Sequence, residues 1–278
     1  HIIVEHNDDS GSVDEQAYIK KLTSDVRVVS IVHTSPVTGM TVDLEKITKE
    51  VRNVTPDCII IVDGIQHSSH GAIDVQKYDI DGYVVSPYKM FSRHGYGVAW
   101  ASDRLCTLNK EQLADGPFQN WELGTRDAGS YATFSDVVDY LDWLGSNFTE
   151  SENTRERLEA SSIAIKSHEQ ELVDLVINGA EDIVGLRNNK KIRIIGNSAS
   201  TSREGVVSFF HKNKPSRIIV EELRQRKIRV HIRKDDHYCG NILRPLNQKD
   251  CIRFSICHYN SKAEVVEFMK AINEISTN

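Results

Sequence analysis

No apolar run in these 278 residues approaches the roughly 20 positions that a membrane-spanning helix needs. Cysteine is sparse. The five present, Cys58, Cys106, Cys239, Cys251 and Cys257, are scattered, odd in number and never spaced Cys-x-x-Cys. That excludes a disulfide framework and the usual zinc motifs, and it points to a reducing compartment, the cytoplasm. Positive charge is not in excess. With 34 Lys and Arg against 40 Asp and Glu the net charge is −6, which excludes a broad nucleic-acid footprint. There is no internal repeat and no low-complexity tract. What remains is ordinary for a globular chain: 39% hydrophobic and 27% charged residues. The length allows two domains.

The first part alternates strand and helix signals, which predicts a mostly parallel sheet. Residues 26–33, 58–62, 81–85 and 96–101 read as strands, and 43–51 as a helix between the first two. His1-Ile2-Ile3-Val4-Glu5 also reads as a strand. A long helix is predicted over 127–145, with apolar Val137, Val138, Leu141 and Leu144, and a more polar one over 153–178. The composition shifts at 145–153, so the expected domains are 1–150 and 151–278. The second reads as a small α/β domain. Strands are predicted at 191–195, 205–210, 228–232 and 252–256, and helices at 215–226 and 263–275. Pro215 sits near a helix start, where proline is favoured.

Two apolar runs end on chemically capable residues. Cys58-Ile59-Ile60-Ile61-Val62 leads into Asp63-Gly64-Ile65-Gln66, and Val84-Val85 into Ser86-Pro87-Tyr88-Lys89. Strand ends of an open parallel sheet form its ligand crevice. A lysine able to form an imine, with an aspartate able to keep a pyridine nitrogen protonated, is the minimal apparatus for pyridoxal phosphate chemistry.

At these residues the chain resembles the class V aminotransferases, a family of pyridoxal-phosphate fold type I enzymes that includes the cysteine desulfurases. The resemblance rests on Asp63-Gly64-Ile65-Gln66, Ser86-Pro87-Tyr88-Lys89, the turn Gly95-Tyr96-Gly97, Glu122-Leu123-Gly124-Thr125, and Arg253-Phe254-Ser255 with Tyr259-Asn260. These motifs stand in the family's order and run from about Val28 to the C-terminus. The implied fold is α/β: the remainder of a mostly parallel large domain plus a small C-terminal domain. Family members carry a substantial segment before the point where this chain starts, so it is expected to be the C-terminal part of a longer protein.

The resemblance implies pyridoxal 5'-phosphate as cofactor and a small amino acid as substrate. Lys89 would hold the cofactor and move protons, Asp63 would pair with the ring nitrogen, and Gln66 would donate to the phenolic oxygen. Ser86, Gly124 and Thr125 would hold the phosphate, with Thr125 crossing over in a homodimer. Arg253 would grip the substrate carboxylate. Each has a plainer reading: a helix cap for Asp63, a turn hydroxyl for Ser86, a simple loop for Gly124 and Thr125, an edge-strand arginine facing solvent for Arg253. His237-Tyr238-Cys239-Gly240 resembles the loop that carries the nucleophilic cysteine of some desulfurases. Cys239 would then attack substrate sulfur; its plainer reading is a small buried residue.

The chain also departs from the desulfurase pattern. Tyr88 stands where His usually precedes the lysine, Pro36 replaces an Asn, and Arg93-His94 replaces Gly-Pro. A cysteine desulfurase-like or C–S lyase activity is therefore expected first, with transamination or epimerisation as the alternative and a non-catalytic homologue as a third. His67, His70 and His94 are candidate pocket acids or bases, with His70 expected to face solvent. They show no ligand spacing for a metal.

Overall fold

Short polar caps set where the helices begin. In the computed structural model, Asp14 accepts from Ala17 N–H at 2.9 Å ahead of α1 (Glu15–Ile19). Strand β1 (Val28–Val32) comes next. Asp43 then accepts from Lys46 N–H at 3.0 Å and opens α2 (Leu44–Val54), which buries Leu44, Ile47, Thr48 and Val51 along one stripe. After it come β2 (Ile59–Asp63), β3 (Gly82–Val85), β4 (Val98–Ala101) and the one-turn α3 (Asp103–Cys106). Asp127 caps α4 (Ala128–Gly145), which is succeeded by α5 (Thr154–Asn178). A hairpin of β5 (Gly179–Ala180) and β6 (Ile183–Val184) leads to β7 (Ile192–Ile194) and β8 (Val206–His211). The chain closes with α6 (Ser216–Gln225), β9 (His231–Lys234), α7 (Gly240–Leu243), β10 (Asp250–Ser255) and α8 (Lys262–Thr277). The structure describes all residues except 10, 12, 115, 117–120, 122, 125, 126 and 278. Among the described residues no helix is long and apolar enough to cross a membrane.

Two compact units emerge. One comprises residues 22–33 and 43–163. Its sheet has the order β1-β2-β3-β4, with β1, β2 and β3 parallel and β4 antiparallel at the edge. Ile60 and Val62 on β2 are wholly buried, as a central parallel strand requires. Asp81, 1% exposed, stands just before β3 and ties the sheet together. It accepts from Ile60 N–H (2.9 Å), Ser102 Oγ (3.0 Å) and Arg52 Nη2 (2.8 Å). Burial alone would push its carboxyl up, but the bonds from Arg52, Ile60 and Ser102 hold it below the ordinary range.

The other unit comprises residues 1–21, 34–42 and 164–278. Its antiparallel sheet has the order β7-β8-β10-β9. All six residues of β8 are buried, because both faces of the sheet are covered. Val207 and Phe209 join a core with Leu172, Ile219, Phe268 and Ile272, while Phe210 joins a second one with Val37, Cys239, Leu243 and Cys251. Residues 34–42 are stitched into this unit by main-chain acceptors. The Arg203 guanidinium, 3% exposed, donates to Thr38 O (3.0 Å) and Ile195 O (3.2 Å), and the Ser208 hydroxyl donates to Val37 O. Burial brings Arg203 down to about 10. Gly39 has φ +77°, and a Cβ there would lie 2.1 Å from Val206 O, so only glycine fits.

Several expectations shift. Residues 1–5 form no strand, and Ile2 and Ile3 are exposed. The strand expected at 228–232 begins instead at His231, because Ile228 N–H still donates to Leu223 O (2.9 Å) after Lys227 turns at φ +63°. Pro215 caps α6 from outside rather than lying within its first turn. The expected boundary at 145–153 lies inside the first-described unit. The reason is local: Gly145 lets α5 come against α4, since a Cβ there would sit 1.9 Å from Arg157 O, and Arg157 Nε donates to Ser151 O at 2.6 Å.

Candidate active site

Asp63 is the last residue of β2 and pairs in parallel register with Val84 of β3. Gly64 N–H continues the ladder to Val84 O at 2.9 Å. The segments that leave these two strands therefore emerge side by side at the carboxyl end of the sheet. Gly64 is obligatory, because a Cβ on it would fall 2.1 Å from the Tyr83 ring. Asp63 is half-buried, and its Oδ1 accepts from Ile65 N–H at 3.0 Å, fixing the turn beyond it.

That turn delivers Gln66 to Lys89. After β3, Pro87 opens a single 3-10 turn, Pro87–Met90, and Lys89 N–H donates back to Ser86 O at 3.0 Å. The half-buried Lys89 Nζ then donates to Gln66 Oε1 at 2.9 Å. The other end of the Gln66 amide, Nε2, lies 3.1 Å from His70 Nε2. Ser86 precedes the turn with its hydroxyl uncommitted to capping. Amine and amide thus meet at the carboxyl end of the sheet, where Asp63 ends β2 and Ser86 follows β3.

His70 is 3% exposed, which corrects the expectation that it faces solvent. The turn at His67–Ser69 rolls it inward, four residues after Gln66, and that spacing is the signal a reading of isolated histidines misses. His67 is buried as well. Its ring stacks on His33 at 3.7 Å, and His33 Nδ1 bonds the Tyr83 hydroxyl at 2.9 Å. His33, which directly follows β1, is the member of this cluster that the sequence reading passed over. His94 is exposed and stacks on Tyr88 at 4.3 Å, so two of the departures from the desulfurase pattern lie against each other. Another, Arg93, bonds Asp127 and donates to Ser130 Oγ at 2.6 Å, which secures the start of α4.

The other expected site residues have surroundings of their own. Gly124 is exposed, with nothing among the described residues within 4 Å of a Cβ placed on it, and Thr125 lies outside the described residues. Arg253 is half-buried on β10, between β8 and β9, so it is not an edge-strand residue facing solvent. Its Nη1 donates to Pro36 O at 2.9 Å. Cys239 is 1% exposed, in the core with Val37, Phe210, Leu243 and Cys251. Burial pushes its thiol up, against the opposing pull of Arg233. Burial, with Cys239 adding to it, carries Cys251 up to about 12. A nucleophilic thiol needs exposure and a lowered pKa. The surroundings of Cys239 supply neither and match its plainer reading as a small buried residue.

Fold and strand-end constellation together define an α/β protein with a lysine at the carboxyl end of its mostly parallel sheet. The family model described as Aminotransferase class-V matches residues 1–268, and the chain belongs to that family. Among curated proteins it is 26% identical over 272 residues to "Aminotransferase-like protein FGM3" of Gibberella zeae, covering 95% of this chain and 62% of that protein. It is 27% identical over 289 residues to a cysteine desulfurase of Synechococcus elongatus, covering 97% of this chain and 41% of that protein. The chain thus spans less than two thirds of the length of these relatives. Among solved structures it matches the apo cysteine desulfurase of Thermococcus onnurineus NA1 with a TM-score of 0.77 at 20% identity, covering 99% of this chain and 66% of that one. That likeness establishes the shared fold, as the sequence led us to expect.

Proposed function

We propose that the protein is a pyridoxal-phosphate-dependent enzyme acting at the α-carbon of a small amino acid, most closely of the cysteine desulfurase or C–S lyase kind. The observation that carries this reading is the Lys89–Gln66 contact at 2.9 Å beside the Asp63 strand end. The donor set fits the cofactor: an amine for its aldehyde, a carboxylate for its ring nitrogen, an amide for its phenolic oxygen and the Ser86 hydroxyl for its phosphate. When bound, the cofactor supplies an electron sink for charge developing at the substrate α-carbon.

The chain's own residues divide the remaining work. Lys89 Nζ would hold the cofactor and, as a free amine, would take and return the substrate α-proton. Asp63 keeps the ring nitrogen protonated by charge pairing. Gln66 donates from its amide nitrogen to the phenolic oxygen. Ser86 donates to the phosphate. Gly124 and Thr125 are assigned to the phosphate of a second subunit in a homodimer, in keeping with the exposure of Gly124. Arg253 grips the substrate carboxylate with a guanidinium whose Nη1 is already anchored on Pro36 O. The five free cysteines favour a reducing compartment, the cytoplasm.

The test is the absorption spectrum of the full-length protein before and after L-cysteine. A band near the visible edge that shifts with cysteine and yields sulfide is the expected result. A band that shifts without sulfide moves the assignment to transamination or epimerisation, which the burial of Cys239 favours. The lack of any band leaves a non-catalytic homologue. Cys239→Ala is expected to retain at least about half of any sulfide release, since a buried thiol with a raised pKa makes a poor nucleophile. Loss of both sulfide release and alanine formation in that variant would restore the persulfide role of Cys239.

A further inference from the structure

We infer that His70 is a positioning residue for Lys89, acting through Gln66 as a neutral imidazole that accepts at Nε2 and carries its proton on Nδ1. Its part in catalysis rests on the reading of Lys89 given above; its geometry does not.

The assignment comes from donor and acceptor identity. An ammonium offers only donors, so the atom of Gln66 that faces Lys89 Nζ at 2.9 Å must be the carbonyl oxygen. One N–H of the amide nitrogen is then taken up by His70 Nε2 at 3.1 Å, which leaves the second for the phenolic oxygen. An amide nitrogen only donates, so Nε2 must accept and cannot bear the ring proton. A charged imidazole, with donors on both nitrogens, would reverse the amide and set its NH2 against the amine. Burial opposes that charged form, because His70 is 3% exposed. The flip state of Gln66, and through it the acceptor offered to Lys89, is thus set from behind by one ring.

The local backbone is built to keep that ring in place. His70 N–H donates to His67 O at 2.8 Å, and Ser68 N–H donates to Gly64 O at 2.9 Å. Ser68 Oγ adds a bond to Ile65 O at 3.1 Å. Gly71 comes next without a side chain, where a Cβ would fall 2.7 Å from His67 Cε1. The turn that carries Gln66 and His70 is therefore a rigid unit rather than a loose loop, as a positioning role demands.

Two measurements on the full-length protein freed of cofactor test this. The first is the nitrogen-15 spectrum of the imidazoles. A neutral Nδ1–H tautomer for His70 is expected at neutral pH; an Nε2–H or charged ring would overturn the assignment without any variant. The second is competitive acylation of Lys89 with trace acetic anhydride across pH, read by peptide mass spectrometry. Removing the acceptor weakens the ammonium form, so His70→Leu should lower the midpoint for Lys89 by about one pH unit. Gln66→Leu should do the same, and the double variant should go no further, because both act through one amide. His70→Gln, whose amide oxygen can accept from Gln66, should restore the wild-type midpoint. An unchanged midpoint in His70→Leu, or shifts that add in the double variant, would sink the idea. Neither readout uses the visible band, so His70 can fail while the cofactor assignment stands, and the reverse.

Discussion

Replacement of Lys89 by alanine is expected to abolish the visible band and to lower turnover by at least about a thousandfold, since a positioned proton-transfer group is worth roughly 10²–10⁴ on its own. Lys89 is also the group that would hold the cofactor covalently, so both functions vanish together. The fold should survive. Lys89 is half-buried on a single turn, and the main-chain bond from its N–H to Ser86 O is one that alanine keeps. Thermal melting within a few degrees of wild type, together with lost activity, separates a chemical role from a structural one. Full activity in this variant would remove Lys89 from the mechanism. Borohydride treatment adds an independent check, because it should fix cofactor mass to Lys89 in the wild type and to nothing in the variant.

Asp81→Ala is expected to have the opposite profile, a large loss of stability with no direct chemical role. The carboxylate is 1% exposed and accepts from Ile60 N–H, Ser102 Oγ and Arg52 Nη2. Its removal takes from Arg52 its shortest carboxylate contact, leaving that guanidinium to Asp79 and to the carbonyls of Pro56 and Cys58, and it leaves a buried amide of the central strand without its acceptor. Breaking a buried pair from one side typically costs about 3–5 kcal/mol. A lower urea midpoint at unchanged slope would report it. The pH dependence has a definite sign. The folded carboxyl sits below its ordinary value of 3.8, so its stabilisation is present above the unfolded carboxylate range and fades as pH falls through it. The gap between wild type and variant should therefore be full at neutral pH and shrink below about pH 4. A gap that stays constant from neutral pH into acid would show that Asp81 acts through packing alone.

The strand ends that carry Asp63 and Lys89 were legible because they announce themselves. Ile59–Asp63 and Gly82–Val85 are short apolar runs that stop at a turn-forming residue, and the turn after each of them is built from neighbouring residues alone. Helix α2 was equally plain, with Leu44, Ile47 and Val51 on one stripe and Asp43 as cap. Residues 34–42 were not. Their membership in the unit with the C-terminal residues depends on carbonyl oxygens held by Arg203, Ser208 and Arg253, and carbonyls leave no trace in a residue pattern. Cys239 misled for a related reason. The loop around it reads as reactive, but its burial is decided by Phe210, Leu243 and Cys251, which lie in other elements of the unit. His70 misled because a polar ring after a strand suggests a surface; only its spacing from Gln66 tells otherwise.

The parallel pairing of Asp63 with Val84 also bears on the order of assembly. Contacts between segments close in sequence form early, because little chain entropy is lost in closing the loop between them. Carboxylate, amide and amine all lie within the single stretch 59–89, and zipping β2 onto β3 brings them to one end of the sheet. Their assembly needs neither residues 34–42 nor the C-terminal sheet. In a chain emerging from its N-terminus, Asp63, Gln66 and Lys89 would already be brought together before Arg253 had been synthesised.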